Sequence, residues 1–441
     1  MDSKQELRDM CRAAAVIKEI CNRRTEDDAC HKCPFYAMCC AEPYSWEIPA
    51  EPAVFYFDNA ATTRTSDTAI CAMLPFVAEA YGNPSSIHSN GAAARSAIEA
   101  ARAVFAKRIN AEPEEIIFTS GGSEANTQAI QSAAEVRGKR KIIATRIEHH
   151  SVLNTLAALE RRGYEIALLE VSPDGEVSPE AVKAEITPET ALVSVMLANN
   201  EIGTIQPVEE IGRICRERGV LFHVDAVQAA GHIKINAKKI KADYLSISAH
   251  KFHGPKGAGI LYRRAGAPLF PLIHGGGQEH GFRAGTENVA AIVGAAAAFD
   301  EACRGMAADA RKAEAFRSRT ADAIRKIPGA RLFAEGANRR LPGILTAAFE
   351  GVTGEMLVRL MDTKGVCVSS GAACSAGESG GSHVLKAIGV PPESAADGVR
   401  ISFSRYNTEA ETEYMISALK EAVIQARACA PVLGTTERGD Q

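Results

Sequence analysis

From residue 54 onward, short apolar runs alternate with longer alanine-rich stretches, and this alternation restricts the fold more than any other feature of the chain. The runs at 116–119, 141–145, 191–198, 220–224 and 244–248 have the length and composition of strands. The stretches at 92–109, 123–136, 152–162 and 208–218 read as helices. Strand and helix taking turns predicts an α/β fold, a mainly parallel sheet covered by helices on both faces. Ligands bind such a sheet beyond the carboxyl ends of its strands. With 441 residues the chain exceeds one ordinary core. The expected division is a cysteine-rich extension at 1–52, a large domain at 53–307 and a smaller C-terminal α/β domain at 308–441. The last is expected to open on a long helix after about residue 309 and to close on another near 409–428.

The strand ends carry the chemistry. The run 244–248 delivers Ser248, His250 and Lys251, and Gly254, Pro255 and Gly257 then mark a turn. A lysine placed where a strand stops suits a Schiff-base amine, which points to pyridoxal 5'-phosphate as cofactor. After 116–119 come Gly121, Gly122 and Ser123. The glycines let backbone approach an anion, Ser123 is placed to cap the next helix, and free N–H groups at a helix start suit a phosphate. After 141–145 come His149 and His150, where an imidazole can stack on a ring and move protons. The run 191–198 leads to Asn199 and Asn200, which offer amide donors, and 220–224 leads to Asp225 and Gln228. A carboxylate behind a buried strand is costly unless paired, and a pyridinium nitrogen is a suitable partner. Taken singly, each position also has an ordinary structural reading: a Gly-Ser turn, a turn asparagine, an aspartate capping a helix.

As a set, the motifs are specific. They are YFDNAATT at 56–63, YGNPSSIH at 81–88, TSGGSEAN at 119–126, EHHSV at 148–152 and NNEIGT at 199–204. They continue with HVDAVQ at 223–228, SAHKFHGPKG at 248–257, GGGQEHGFRAGTEN at 275–288, SSGAACSAG at 369–377 and VRISFSRYNT at 399–408. Over about 54–430 the chain resembles the cysteine desulfurases, class V members of the fold-type I pyridoxal-phosphate enzymes, in their iron–sulfur-assembly and nitrogenase-maturation branch. The resemblance implies Lys251 as Schiff-base lysine, His149 as ring-stacking acid/base and Asp225 as partner of the pyridine nitrogen. It implies Asn200 and Gln228 near the ring hydroxyl, and Gly122, Ser123, Ser248 and His250 around the phosphate. It implies a homodimer in which Thr286 reaches the phosphate of the other subunit. Arg400 matches the arginine that receives the substrate carboxylate, a bidentate task suited to guanidinium, and Asn83 is a second carboxylate contact. Without the motif, Arg400 also reads as a surface ion pair.

Cys374 selects the reaction. It lies among Gly, Ala and Ser residues, which give a thiol little to pack against, whereas Cys367 lies on the apolar run before them and reads as core. The implied activity converts L-cysteine to L-alanine, with sulfur taken by Cys374 as a persulfide and passed to an acceptor such as an iron–sulfur scaffold. Selenocysteine lyase or another class V aminotransferase or lyase is the alternative. A non-enzymatic metal-sensing or sulfur-relay scaffold is the alternative of another class.

The first 52 residues lie outside the resemblance. Six of the 12 cysteines fall within the first 40 residues, and Cys21, Cys30, Cys33, Cys39 and Cys40 offer thiolates for an iron–sulfur cluster or zinc. A small docking piece with incidental thiols and a relay that accepts sulfur from Cys374 are the other readings. A net charge of −4 gives no reason to expect nucleic acid or an anionic membrane as partner. The apolar run at 289–299 is too short to span a bilayer, and the charged N-terminus lacks an apolar signal core, so the expected location is cytoplasmic.

Overall fold

Alternation along the strands sets the layers. In β1 (Ile116–Thr119), Ile116 and Ile117 pack into different apolar clusters, as do Ile142 and Ile143 in β2 (Lys141–Thr145). Each strand therefore buries both faces, which needs helices on both sides. On one side lie α3 (Gly122–Ala134) and α4 (His150–Glu160), contributing Ala125, Ala129, Val152 and Leu156. The other side is covered by α1 (Asp67–Ala78), α2 (Ser89–Ile109) and α5 (Val208–Arg218), contributing Ala69, Ile98, Phe105 and Ile211. Helix α5 follows the macrodipole: Glu209 and Glu210 open it, Arg216 and Arg218 close it, and Gly219 ends it at φ 65°.

The computed structural model describes residues 54–136, 138–370 and 381–433. The remaining strands of the main sheet are β3 (Glu165–Leu169), β4 (Thr190–Met196), β5 (Leu221–Asp225), β6 (Tyr244–Ser248) and β7 (Gly259–Arg263). Their order is β1-β7-β6-β5-β4-β2-β3, seven strands. Strand β7 runs antiparallel to both neighbours, β1 and β6, and the other pairs are parallel. The carboxyl ends of β1, β2, β4, β5 and β6 thus share one edge of the sheet. Gly259 starts β7 at that edge, where a Cβ would lie 2.5 Å from the Gly121 backbone; only glycine lets the two turns approach.

Helix α6 (Val289–Ile324) is 36 residues long and starts 20 residues before the expected long helix. The expected boundary at 307/308 falls inside it. No proline interrupts 289–324, and Gly294 and Gly305 stand singly among good helix formers, so the apolar run and the later helical stretch join. Beyond it, β8 (Ala330–Leu332), β9 (Ile344–Phe349), β10 (Ser369–Ser370) and β11 (Val399–Ser402) form a four-stranded antiparallel sheet in the order β10-β11-β9-β8. The C-terminal helix is α7 (Glu409–Leu433). The described residues from Tyr56 onward form one compact unit. Among them, no helix is long and apolar enough to cross a membrane.

Candidate active site

The shared strand edge surrounds a cavity of about 230 Å³. Gly122, Ser123, His149, Asn200, Asp225, Gln228, Ser248, His250 and Lys251, all expected from the sequence, line it. They arrive from the carboxyl ends of five strands, β1, β2, β4, β5 and β6, as the topology requires.

Helix α3 supplies one wall. No side chain caps its start: Gly121 occupies the cap position and Ser123 lies inside the first turn, contrary to the expected cap role. The crowding at this turn falls on Gly259, whose Cβ would strike the Gly121 backbone, whereas a Cβ on Gly121 would meet nothing within 4 Å. Ser123 is left exposed on the cavity wall. A Cβ on Gly122 would lie 2.6 Å from Val227 Cγ2, so this position too has no room for a side chain. Asn126 lies one helical turn on from Gly122, on the same face.

Asn126 organises the wall beneath the ring position. Its Nδ2 donates to Asp225 Oδ2 at 2.7 Å and to Ser151 Oγ at 2.9 Å. Asp225 Oδ1 accepts the Val227 N–H at 2.9 Å, which closes a side-chain turn in place of the helix cap. His149 Nδ1 accepts the Ser151 N–H at 3.1 Å and lies 2.8 Å from Ser151 Oγ. The accepting role at Nδ1 leaves the proton of the neutral ring on Nε2. Burial holds the His149 pKa below its ordinary value, with Lys251 and His150 acting in the same direction and Asp225 opposing. The sequence does not single out Asn126; only its spacing from Gly122 marks it.

Lys251 is held by main chain. Its Nζ donates to Ala60 O at 2.6 Å and to Ala61 O at 2.9 Å. His250 Nδ1 lies 3.1 Å from Thr62 Oγ1, and burial pushes this imidazole down to about 4, so it is neutral at pH 7. Segment 58–63 therefore spans the site, a role its composition does not announce. At its other end Asp58 Oδ1 accepts from Arg400 Nη2 at 2.8 Å, and Asn200 O accepts from Arg400 Nη1 at 3.0 Å. Arg400 sits on β11, buried to 4% side-chain exposure.

Two expected residues lie away from this cavity. Asn83 is exposed, and its Oδ1 accepts the Ser85 N–H at 2.9 Å. Thr286 is exposed and does not line the cavity of its own chain. Cys374 lies outside the described residues, as do Cys21, Cys30, Cys33, Cys39 and Cys40. Among the described residues, no cluster of three or more His, Cys, Asp or Glu side chains is arranged to hold a metal.

The residues present fit pyridoxal 5'-phosphate. Gln228 Oε1 is buried at the cavity with no hydrogen-bond partner among the described residues, an acceptor open to a donor. Asp225 offers a carboxylate to a ring nitrogen, Ser123 and Ser248 offer hydroxyls at a helix start, and Lys251 offers an amine.

Glu148, beside His149, is fully buried. Its Oε1 accepts from Thr145 Oγ1 at 2.6 Å and the Met196 N–H at 3.1 Å, while Oε2 has no partner among the described residues. Burial pushes its carboxyl up to about 8 from 4.5. Between those values the folded chain holds a proton that the unfolded chain has lost, so this stability is full below 4.5 and lost as pH rises through 8. Glu148→Gln, a neutral mimic, is expected to gain on the wild type by up to about 1.4 kcal/mol per pH unit across that window. Urea midpoints at a series of pH values measure it, and parallel profiles for the two proteins would contradict it.

The aminotransferase class-V family model matches residues 55–415. Cysteine desulfurase IscS of Clostridium botulinum is 44% identical over 381 residues, covering 86% of this chain and 96% of the relative. Among solved structures, a NifS-like protein superposes with a TM-score of 0.80 at 41% identity, over 84% of this chain and 100% of that one. SspA, solved in complex with cysteine, gives a TM-score of 0.71 at 34% identity, over 80% of this chain and 99% of that one. Motifs, fold and cavity agree with these likenesses, and the chain belongs to the class-V aminotransferase family, among its cysteine desulfurases.

Proposed function

We propose that Lys251, His149 and Cys374 carry the desulfurase reaction of this chain, with L-cysteine as substrate and L-alanine as product. The observation that supports it most is the gathering of His149, Asp225, Gln228, Ser248, His250 and Lys251 around one cavity, from turns far apart in sequence. The cysteine held by SspA supports the choice of substrate.

When bound, pyridoxal 5'-phosphate supplies an electron sink at the substrate's α-carbon. Gly122, Ser123, Ser248 and His250 hold its phosphate, Asp225 its ring nitrogen, and Asn200 and Gln228 its ring hydroxyl. Lys251 moves the α-proton, and neutral His149 hands protons on from Nε2. Arg400 receives the substrate carboxylate, with Asn83 as a second contact. Cys374 attacks the substrate sulfur as thiolate: an S–S bond forms, the C–S bond breaks, and its electron pair ends with a proton on alanine. The persulfide then passes to an acceptor, proposed to be an iron–sulfur scaffold protein.

The working unit is proposed to be a homodimer, in which Thr286 reaches the phosphate site of a second copy. Ile70, Leu74 and Val77 recur on one face of α1 and are exposed, as are Tyr81, Phe270 and Ile273, a pattern that suits a protein interface. The large domain at 53–307 and small domain at 308–441 remain the proposed division, with α6 as their shared strut. The cysteines of 1–52 are proposed to hold an iron–sulfur cluster or zinc; metal content of the full chain, retained on dialysis and lost with residues 1–52 removed, is the expected result.

The test is direct. The purified holoprotein, given L-cysteine and a thiol reductant, is expected to release L-alanine and sulfide in equal amounts. Release of pyruvate and ammonia, or transamination without sulfide, would place the chain with other class V enzymes.

A further inference from the structure

The Arg400 guanidinium is only partly used. Of its five N–H groups, one at Nη1 goes to Asn200 O at 3.0 Å and one at Nη2 to Asp58 Oδ1 at 2.8 Å. Nε is buried with no hydrogen-bond partner among the described residues. Asp58 thus grips one nitrogen and leaves the fork open, although carboxylate and guanidinium match best through two parallel bonds.

The backbone enforces this arrangement. Phe57 O accepts the Ser402 N–H at 2.7 Å, the Ala60 N–H donates to Ser402 Oγ at 2.9 Å, and Asn59 Nδ2 donates to Ser402 O at 2.9 Å. Asp58 itself bridges to Ser402, two residues along β11 from Arg400. Its carboxylate is therefore pinned beside the guanidinium. A buried guanidinium without counter-charge is costly, and Asp58 supplies that charge.

We infer that Asp58 is a specificity-determining residue: it holds Arg400 neutralised in the empty site and competes, through its own charge, with the α-carboxylate of the amino-acid substrate. The inference rests on the reading that Arg400 receives that carboxylate. An incoming carboxylate meets the unused N–H groups of the guanidinium and, nearby, a fixed negative charge. Asp58 thereby weakens amino-acid binding and keeps the arginine poised when no substrate is present.

Asp58→Asn keeps the shape and an acceptor at Oδ1 while removing the charge. Titration of the holoprotein with L-alanine, followed through the visible absorbance of the cofactor, is expected to show about tenfold tighter binding in this variant. Ethylamine, which is alanine without its carboxylate, is expected to bind both proteins alike. The KM for L-cysteine falls while kcat holds. Asp58→Ala follows the same sign, which guards against a rotated amide. Weaker or unchanged alanine binding in both variants, with Arg400→Ala losing it, would overturn the role of Asp58 and leave that of Arg400 standing. Undiminished alanine binding in Arg400→Ala would overturn both.

Discussion

Lys251→Ala is expected to lower alanine formation from L-cysteine by about 10,000-fold or more, because one side chain serves both as the covalent anchor and as the base. The surroundings explain why no neighbour replaces it. The Ala60 and Ala61 carbonyls aim its Nζ, at 2.6 and 2.9 Å, and carbonyls cannot take a proton in its place. His250 is the nearest imidazole along the chain, and it is engaged with Thr62 Oγ1. Lys251→Arg is expected to fail equally, since a guanidinium stays charged and cannot act as base. Alanine release under saturating cysteine measures both, with circular dichroism as the check on folding. A variant within tenfold of the wild type would remove Lys251 from the mechanism.

Cys374→Ala is expected to keep the cofactor's visible absorbance and lose at least about 1,000-fold in alanine formation, as expected for loss of the attacking nucleophile. Three of the other thiols, Cys215, Cys303 and Cys367, strengthen the assignment. Burial pushes Cys215 up to about 12 and Cys303 up to about 11. Cys367 is raised by burial, with Asp362 and Asp58 adding to it. Thiols held protonated are poor nucleophiles. Cys367→Ala is accordingly expected to retain activity, so the pair of variants separates the two neighbouring thiols. Comparable losses in both, or in neither, would contradict the assignment.

Much of this site is legible in the amino-acid sequence. Strands with buried faces on both sides declare themselves by length and composition, and the residues just past them follow once the sheet is parallel. Ser123, His149, Asn200, Asp225 and Lys251 can be named together on that ground. What stays hidden has physical reasons. The Ala60 and Ala61 carbonyls aim Lys251, and main-chain acceptors leave no mark in a sequence. Asn126 joins Asp225 to Ser151, a role visible only when its helical face is known. Ser123 reads as a cap because serine usually is one, but the helix already starts at Gly122, which puts Ser123 inside the first turn. The start of α6 is hard to see because its first alanine-rich turns read apart from the charged stretch that continues them. Asp58 sits in the motif at 56–63 with nothing local to mark its role; its partner lies 342 residues away.

The whole mechanism turns on sulfur leaving cysteine by way of Cys374. The measurement closest to that step is peptide mass spectrometry of the holoprotein after brief exposure to limiting L-cysteine, without reductant. One extra sulfur atom on the peptide containing Cys374, in step with the alanine formed, is the result expected; alanine formed with that sulfur on another cysteine, or on none, would contradict it.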